Sequence, residues 1–357
     1  MKKGLLVVLL FASIFSQARM VTLPRRSNNT VYIMDATTLL QAGDTVTLEG
    51  DYAWIKLFKI EGTKDSPVVF INKGLVTIGG YVPYTGVFHG NYFKILGTGD
   101  PAYKYGIRLG KQRDSIYGAF GLAFGDSKGV EVSHCEFQFL SSGILQNPPE
   151  GQVMSDCYYH DNYLHDFDNP RAKGRSEGFY LGNTKAAVSR FEDCRIENNL
   201  IENVSGDGIQ VSRGSFIVKG NTVRNYAKAS LAMQRAGIIV GGDATADIID
   251  NTIEGGGGVG LQIFGRGKMD VSGNTFKDID VQRLQKEDIV YINGKSATPE
   301  ELLQINFHDN QFINVFPNRK IIYNGTFADK TAGISFKKNK GLSSDQINLS
   351  KKDTWNK

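Results

Sequence analysis

The chain has 357 residues, with 41 Lys and Arg against 37 Asp and Glu and a formal net charge of +4. This mild excess, with acidic and basic residues interspersed, argues against a nucleic-acid partner and is compatible with an acidic substrate. Glycine is abundant at 41 residues and proline is scarce at 9, which indicates many tight corners in an ordered chain.

The first 18 residues have the pattern of a secretory signal peptide. Lys2 and Lys3 precede an apolar run that ends at Phe15, and the small residue Ala18 marks the expected cleavage site. The run is too short for a transmembrane helix. We therefore predict no membrane span and expect export to the periplasm, the cell surface or the medium.

Residues 35–50 read DATTLLQAGDTVTLEG and predict a short helix from Ala36 to Gln41, followed by a strand from Thr45. A helix at this position would cover the exposed first coil of a repeat protein.

A repeated unit extends from Val130 to about Asn339. Each copy has an Asn, alternating residues and a second Asn or Asp, and then a Gly followed by an aliphatic, a variable and an aliphatic residue. The first Asn of each copy recurs at intervals of 22 to 37 residues: Asn162, Asn199, Asn221, Asn251, Asn274, Asn310 and, more weakly, Asn339, with Cys135 in the same register upstream. The second half begins at Gly143, Gly178, Gly208, Gly237 and Gly260.

This unit predicts an all-β, single-stranded parallel β-helix, with the β-helix domain over residues 19–341 and a polar tail over 342–357. The alternation of apolar and polar residues has the period of a strand and not of a helix. A unit of about 22 residues cannot bury its apolar side without neighbouring units. Asn tolerates left-handed backbone geometry, so we expect it at corners, where stacked side chains hydrogen-bond as a ladder.

The three cysteines are Cys135, Cys157 and Cys194. Cys157 and Cys194 each lie five residues before a ladder Asn, so we expect them to stack in adjacent coils. Buried free thiols and a bridge between these two residues are both compatible with that spacing.

Two acidic residues identify a candidate site on the Gly-containing strands. Glu177 and Asp207 each come directly before the Gly, and Tyr180 and Gln210 occupy the variable position of the same strands. We expect all four on one surface. Two carboxylates in adjacent coils repel each other unless a cation, a shared proton or an Arg lies between them.

Long insertions between the Asn corner and the Gly strand point to the same surface. They carry Arg171, Lys173, Arg175 and Arg235, and loops leaving one corner form the wall of a groove. A groove with carboxylates and aromatic rings on its floor and Arg and Lys in its wall suits a sugar chain with carboxylate or sulfate groups.

Three further residues are candidates for substrate binding. Tyr158, His160 and His165 lie in the segment YYHDNYLHD beside a ladder Asn. A plain surface strand is the alternative interpretation of this segment, just as backbone capping is the alternative for Glu177 and Asp207.

The order of cap helix, AGDTV-L-G-Y and GT-D-PV-F in the N-terminal region resembles secreted polysaccharide lyases of the chondroitinase B and alginate lyase family. The later Asn and Gly coils are similar to the wider pectate-lyase-like superfamily. The resemblance implies a right-handed parallel β-helix, an acidic polysaccharide as partner, and β-elimination with bound Ca²⁺ and a Lys or Arg base.

On that resemblance, Glu177 and Asp207 would hold Ca²⁺ or orient an Arg. Arg175 or Arg235 would neutralise the uronate carboxylate, with Lys173 or Tyr180 as the base, and Gln210, Arg171, Tyr158, His160 and His165 would bind substrate. A C5-epimerase uses the same proton chemistry. A non-catalytic carbohydrate-binding or structural protein and a glycoside hydrolase remain the alternatives.

Overall fold

The computed structural model describes residues 18–80, 83–110, 119–147, 149–167, 176–182, 189–229, 235–279, 289–292, 303–314, 322–324 and 333–348. Apart from Ala18, the predicted signal peptide lies outside these residues. The described strands form one continuous assembly, and every strand pairing in it is parallel.

Each coil passes through three rows of stacked strands, which we name faces A, B and C in chain order. Face A comprises β1 (Met20–Thr22), β3 (Thr45–Tyr52), β5 (Val68–Ile78), β9 (Lys128–Ser133), β12 (Val153–Ser155), β13 (Tyr158–His160), β16 (Arg190–Glu197), β23 (Lys268–Ser272), β26 (Gln304–His308) and β29 (Gly333–Lys337). The ends of β3 and β5 continue onto face B.

Face B follows the Asn corner of each coil. It comprises β7 (Ile107–Leu109), β10 (Cys135–Gln138), β14 (Tyr163–Phe167), β17 (Leu200–Val204), β19 (Thr222–Arg224), β21 (Thr252–Glu254), β24 (Thr275–Lys277) and β27 (Gln311–Ile313).

Face C carries the Gly-containing strands. It comprises β2 (Thr30–Ile33), β4 (Trp54–Glu61), β8 (Phe120–Ala123), β11 (Ser142–Gln146), β15 (Glu177–Leu181), β22 (Val259–Ile263), β25 (Val290–Ile292), β28 (Ile322–Asn324) and β30 (Ile347–Asn348). Three long strands begin on face C and end on face A: β6 (Tyr84–Leu96), β18 (Ile209–Lys219) and β20 (Ala236–Ile249).

The core is a set of apolar columns inside the coils. On face B, one column stacks in strict register through seven coils and is at most 4% exposed: Phe137, Leu164, Ile201, Val223, Ile253, Phe276 and Phe312. Because the side-chain period of a strand is two, the neighbouring positions point to solvent. The stacking of successive coils in this column confirms the predicted solenoid.

The Asn ladder is present, and its geometry differs from the expectation in one respect. The ladder residues from Asn162 to Asn310 are at most 1% exposed, and each donates its Nδ2 hydrogen to Oδ1 of the next at 2.9 to 3.0 Å. The left-handed residue at the corner is the one before the ladder Asn, as at Asp161 (φ 53°) and Asn198 (φ 54°). That turn directs the following Asn side chain inward.

The two ends of the solenoid also differ from the sequence prediction. Instead of a helix from Ala36 to Gln41, the structure has a single 3-10 turn, Ala36–Thr38, in which the Asp35 side chain accepts from Thr37 N–H at 3.2 Å. The β-branched residues Thr37 and Thr38 disfavour a longer helix. At the other end, part of the predicted tail belongs to the solenoid, because Ile347 pairs with Ile322 of β28.

The cysteines are buried free thiols. Tyr158 pairs with Arg195 in register, which stacks the preceding residues, Cys157 and Cys194, in adjacent coils as expected. Of the two alternatives, free thiols or a bridge between Cys157 and Cys194, the structure shows free thiols.

Candidate functional site

The predicted acidic pair lies at the start of two adjacent face C strands. Ser142 is in register with Glu177, and the pairing of Phe179 with Ile209 puts Asp207 next to Glu177 in the following coil. Glu177 is 5% exposed and Asp207 is 1% exposed. The pair is therefore adjacent, as predicted, but it is buried.

Strand parity explains this burial, which the sequence interpretation assigned wrongly. Glu177 is two residues before the inward-facing Phe179 and three before the outward-facing Tyr180. Residues two apart on a strand share a side, and residues three apart do not. The two carboxyl groups therefore lie beneath the surface that carries Tyr180 and Gln210, and they do not form its floor.

Each carboxyl group has a defined partner. Glu177 accepts the hydroxyl hydrogen of Ser142 at 2.8 Å, and Asp207 Oδ1 accepts the Ala236 backbone N–H at 2.7 Å. Asp207 Oδ2 is buried with no hydrogen-bond partner among the described residues. A buried carboxylate with one unpartnered oxygen is unfavourable, whereas a carboxylic acid at the same place carries no net charge.

Burial raises the pKa of Asp207 from 3.8 to about 8, and the negative charge of Glu177 contributes to the rise. The backbone N–H groups of Ala236 and Arg235 and the Arg235 charge oppose the rise without cancelling it. Asp207 therefore keeps its proton at neutral pH, and the repulsion expected between two carboxylates is relieved by protonation.

Tyr180 and Gln210 stack in register and are half-buried, together with Leu145 and Ile239 in the same outward column. Gln262, the next outward residue, is 6% exposed. Arg235 directly precedes β20, and its charge acts on Asp207. Of the predicted site residues, the structure thus brings together Glu177, Asp207, Tyr180, Gln210 and Arg235.

The remaining predicted site residues lie elsewhere. Tyr158 and His160 are on β13 of face A, and His165 is on β14 of face B, across the Asn162 corner. Arg171, Lys173 and Arg175 lie outside the described residues. The single site that the sequence suggested is therefore distributed over three faces.

The face A residues form a charged cluster around His160. Its Nδ1 is 2.7 Å from Asp161 Oδ2, its Nε2 is 3.4 Å from Glu131 Oε1, and its ring stacks on Tyr158 with the ring centroids 3.9 Å apart. The Tyr158 hydroxyl donates to Glu197 at 3.0 Å.

A second cluster on face B repeats this arrangement, and the sequence reasoning missed most of it. His165 Nδ1 is 2.8 Å from Asp166 Oδ2, His165 Nε2 is 3.1 Å from Glu136 Oε1, and its ring stacks on Tyr163 at 4.1 Å. Tyr163 donates to Glu202 as Tyr158 does to Glu197. The sequence signal for this repetition is the pair of similar segments YYHD at 158–161 and YLHD at 163–166.

Calcium does not fit the described donors at the acidic pair. Ca²⁺ takes six to eight oxygen ligands, and here two carboxyl groups are present, one of which keeps its proton at neutral pH. Among the described residues, no group of three or more His, Cys, Asp or Glu side chains is arranged to hold a metal ion.

Residues 104–276 match the family model described as right handed beta helix region. The chain has the right-handed β-helix fold. The predicted resemblance to pectate-lyase-like β-helix proteins is thereby confirmed.

Two solved structures share this fold. An alginate lyase from Paenibacillus sp. str. FPU-7 is 12% identical with a TM-score of 0.50, over 91% of this chain and 96% of the lyase. The mannuronan C-5 epimerase AlgE6 A-module from Azotobacter vinelandii is 13% identical with a TM-score of 0.52, over 84% of this chain and 86% of the module. At such identities the likeness extends to the fold alone.

Comparison with curated proteins gives no significant match. Within the part of the chain that the structure describes, no helix has the length and apolar character needed to cross a membrane.

Proposed function

We propose that this protein acts on a uronate-containing polysaccharide by removing the C5 proton of a uronate residue, either as a lyase or as a C5-epimerase. The observation that carries the proposal is the outward pair Tyr180 and Gln210, which lies above the buried Glu177 and Asp207, with Arg235 directly before the next strand of face C. The two neighbours named as an alginate lyase and a mannuronan epimerase support the same class of polymer.

The C5 proton is acidic only when the charge of the adjacent carboxylate is neutralised, and a positioned base must then take the proton. In our proposal Arg235 pairs with the uronate carboxylate, together with Arg171 or Arg175. Tyr180 as phenolate, or Lys173 as free amine, accepts the proton. Glu177 and Asp207 act as positioning residues, because Asp207 accepts the Ala236 N–H at the start of β20 at 2.7 Å and Glu177 accepts the Ser142 hydroxyl at 2.8 Å.

The two reactions differ after the proton has left. In the lyase, the electron pair of the C5–H bond forms the C4–C5 double bond, the C4–O glycosidic bond breaks, and the leaving oxygen takes a proton from the protonated base or from water. In the epimerase, a proton returns to C5 from the opposite face and no glycosidic bond breaks. Gln210, in the next coil, is placed to bind the neighbouring sugar.

One experiment tests both reactions. The protein is incubated with alginate, polygalacturonate and chondroitin sulfate in D₂O, with Ca²⁺ or with a chelator. Absorbance of unsaturated uronate ends reports the lyase, and deuterium incorporation at C5 reports the epimerase. If neither signal appears with any polymer, the proposal is wrong, and dependence on added Ca²⁺ would reinstate a cation that the described donors do not favour.

Tyr180→Phe should lower the rate about 100-fold or more if Tyr180 transfers the proton. Tyr291→Phe is the matched control, because Tyr291 lies in the same outward column four coils further on. Its rate should equal that of the wild type. Full activity in Tyr180→Phe would show that Tyr180 is not the base, and that Lys173 or a residue on another face accepts the proton.

A specific observation favours the non-catalytic alternative. Several cations on faces A and B are matched to carboxylates, as in Arg108 with Glu136 at 2.7 Å and Arg195 with Glu197 at 2.7 Å. Such internally neutralised surfaces suit a structural or docking protein. Binding of the polymers without turnover would select this function, whereas new reducing ends without double bonds would select a hydrolase.

A further inference from the structure

The N-terminal coils of face C carry an outward patch of aromatic rings that the proposed reaction does not use. We name Tyr32, Trp54, Phe58 and His89 the aromatic patch. Tyr32 is 40% exposed, and the other three rings are half-buried at outward positions of β4 and β6. Phe58 has no polar atom, so hydrogen bonding to water does not explain its place on the surface.

The rings touch one another across successive coils. Tyr32 meets Trp54 and Phe58 edge-on, with centroid distances of 6.1 and 6.2 Å. Phe58 meets His89 of the following coil with the ring centroids 5.2 Å apart. The patch is thus one continuous aromatic surface over three coils, and contiguous exposed apolar surfaces of this kind mark interaction sites.

Cations lie over this surface. The Arg26 guanidinium is 5.5 Å from the Tyr32 ring centroid, and Lys56 Nζ is 5.0 Å from the Trp54 ring centroid. Flat rings with cations beside them suit the pyranose rings of an acidic polymer, whose C–H faces stack on aromatics while their carboxylates meet Arg and Lys.

The patch is continuous with the candidate site. The outward column runs in register from Tyr32 through Lys56, Val87, Ala123 and Leu145 to Tyr180. Coils stack about 4.8 Å apart, close to the length of one pyranose unit in a polymer. A sugar chain lying along the solenoid axis therefore places successive rings over successive coils.

We propose that the aromatic patch is an anionic-polysaccharide binding site, which holds the part of the chain that extends beyond the reacting residue. The inference takes its polymer class from the proposed function, but it concerns binding and not turnover. A second copy of this protein is the competing occupant.

The test measures binding and turnover separately. Affinity electrophoresis in gels containing alginate or polygalacturonate should show retardation of the wild type, and the apparent affinity should fall at least tenfold in Trp54→Ala and Phe58→Ala. Tyr103→Ala is the control, because Tyr103 is equally exposed at 40% but lies in the loop between faces A and B. Circular dichroism confirms the fold of each variant.

Unchanged retardation in both patch variants overturns the inference, as does a dimer in sedimentation that Trp54→Ala dissociates. Lys56→Gln should weaken binding to the acidic polymers and leave any binding to neutral dextran unchanged. If the patch variants lose binding and the wild type turns over none of the polymers, the proposed function is wrong, whereas binding at the aromatic patch is supported. If Tyr180→Phe abolishes turnover while the patch variants bind normally, the patch alone fails.

Discussion

At the scale of single residues, the ladder Asn shows why only an amide side chain serves at that corner. Asn221 Oδ1 accepts both the backbone N–H and the Nδ2 hydrogen of Asn199 at 3.0 Å. Its own Nδ2 donates to Asn251 Oδ1 at 3.0 Å and to the Ile196 carbonyl at 2.8 Å. A carboxylate lacks the donors and a hydroxyl lacks the reach, so Asp or Ser would leave buried groups unsatisfied.

Asn221→Ala should therefore destabilise the protein strongly. Each buried donor or acceptor left without a partner costs about 1–3 kcal/mol, and several such groups lose theirs, so we expect a loss of roughly 3–5 kcal/mol in the free energy of unfolding. Asn225→Ala in the same coil is the control. Asn225 is exposed with φ 52°, and the left-handed backbone alone costs Ala about 1–2 kcal/mol. Similar losses for both variants in denaturant titrations would contradict the ladder argument.

Asp207 predicts a pH dependence of stability with a definite sign. Its folded pKa of about 8 is above its ordinary value of 3.8, so between these values the folded chain keeps a proton that the unfolded chain releases. Stability then falls as pH rises through this window, by up to about 1.4 kcal/mol per pH unit. Asp207→Asn should flatten this part of the profile and should be the more stable protein near pH 8. A variant profile parallel to that of the wild type would show that Asp207 ionises normally.

At the scale of elements, β13 and β14 are two copies of one local design on opposite sides of the Asn162 corner. Burial lowers the pKa of His165, but its hydrogen bonds to Glu136 and Asp166 outweigh burial and raise it above the usual value. Burial likewise lowers the pKa of His160, and its contacts with Glu131 and Asp161 raise it overall. Each strand thus carries a histidine whose protonated form is favoured by two neighbouring carboxylates.

These two histidines stabilise the fold mainly in mild acid. A folded pKa above the unfolded value of about 6.5 gives stability that is complete below pH 6.5 and lost as pH rises through the folded pKa. We expect His160→Gln and His165→Gln to lower the thermal midpoint at pH 5.5 and to have little effect at pH 9. Measuring each variant across this range, alone and with Asp207→Asn, separates the histidine contribution from that of the carboxyl. A loss that is constant with pH would mean that packing and not charge is responsible.

The elements also show where sequence reasoning worked and where it failed. The strand period and the Asn corners predicted the face B columns from Phe137 to Phe312, because both depend on local spacing. The predicted outward orientation of Glu177 was wrong. Glu177 is close to Tyr180 in the sequence, but residues two apart share a side of a strand, so Glu177 faces inward with Phe179. The helix at Ala36 was wrong because two β-branched residues follow it directly.

At the scale of the whole molecule, the order of coils was predictable and the composition of the site was not. Repeat spacing fixes which residues stack, as in the adjacency of Cys157 and Cys194. It does not fix how far the chain turns between one strand and the next, which decides whether His160, His165 and Tyr180 share a surface. The aromatic patch was missed for a related reason, because large apolar residues occur on both sides of β4. Trp54 and Phe58 alternate with Ile55 and Leu57, and the sequence alone does not say which pair faces the core.

The ladder also gives the molecule a direction. Each ladder Asn from Asn199 to Asn310 accepts two hydrogens from the coil that precedes it and donates one back, as Asn221 does with Asn199 and Ile196. One donor remains for the coil that follows. The two directions along the solenoid are therefore unequal. An Asn with no coil before it would lack three of these four amide bonds, whereas an Asn with no coil after it would lack one.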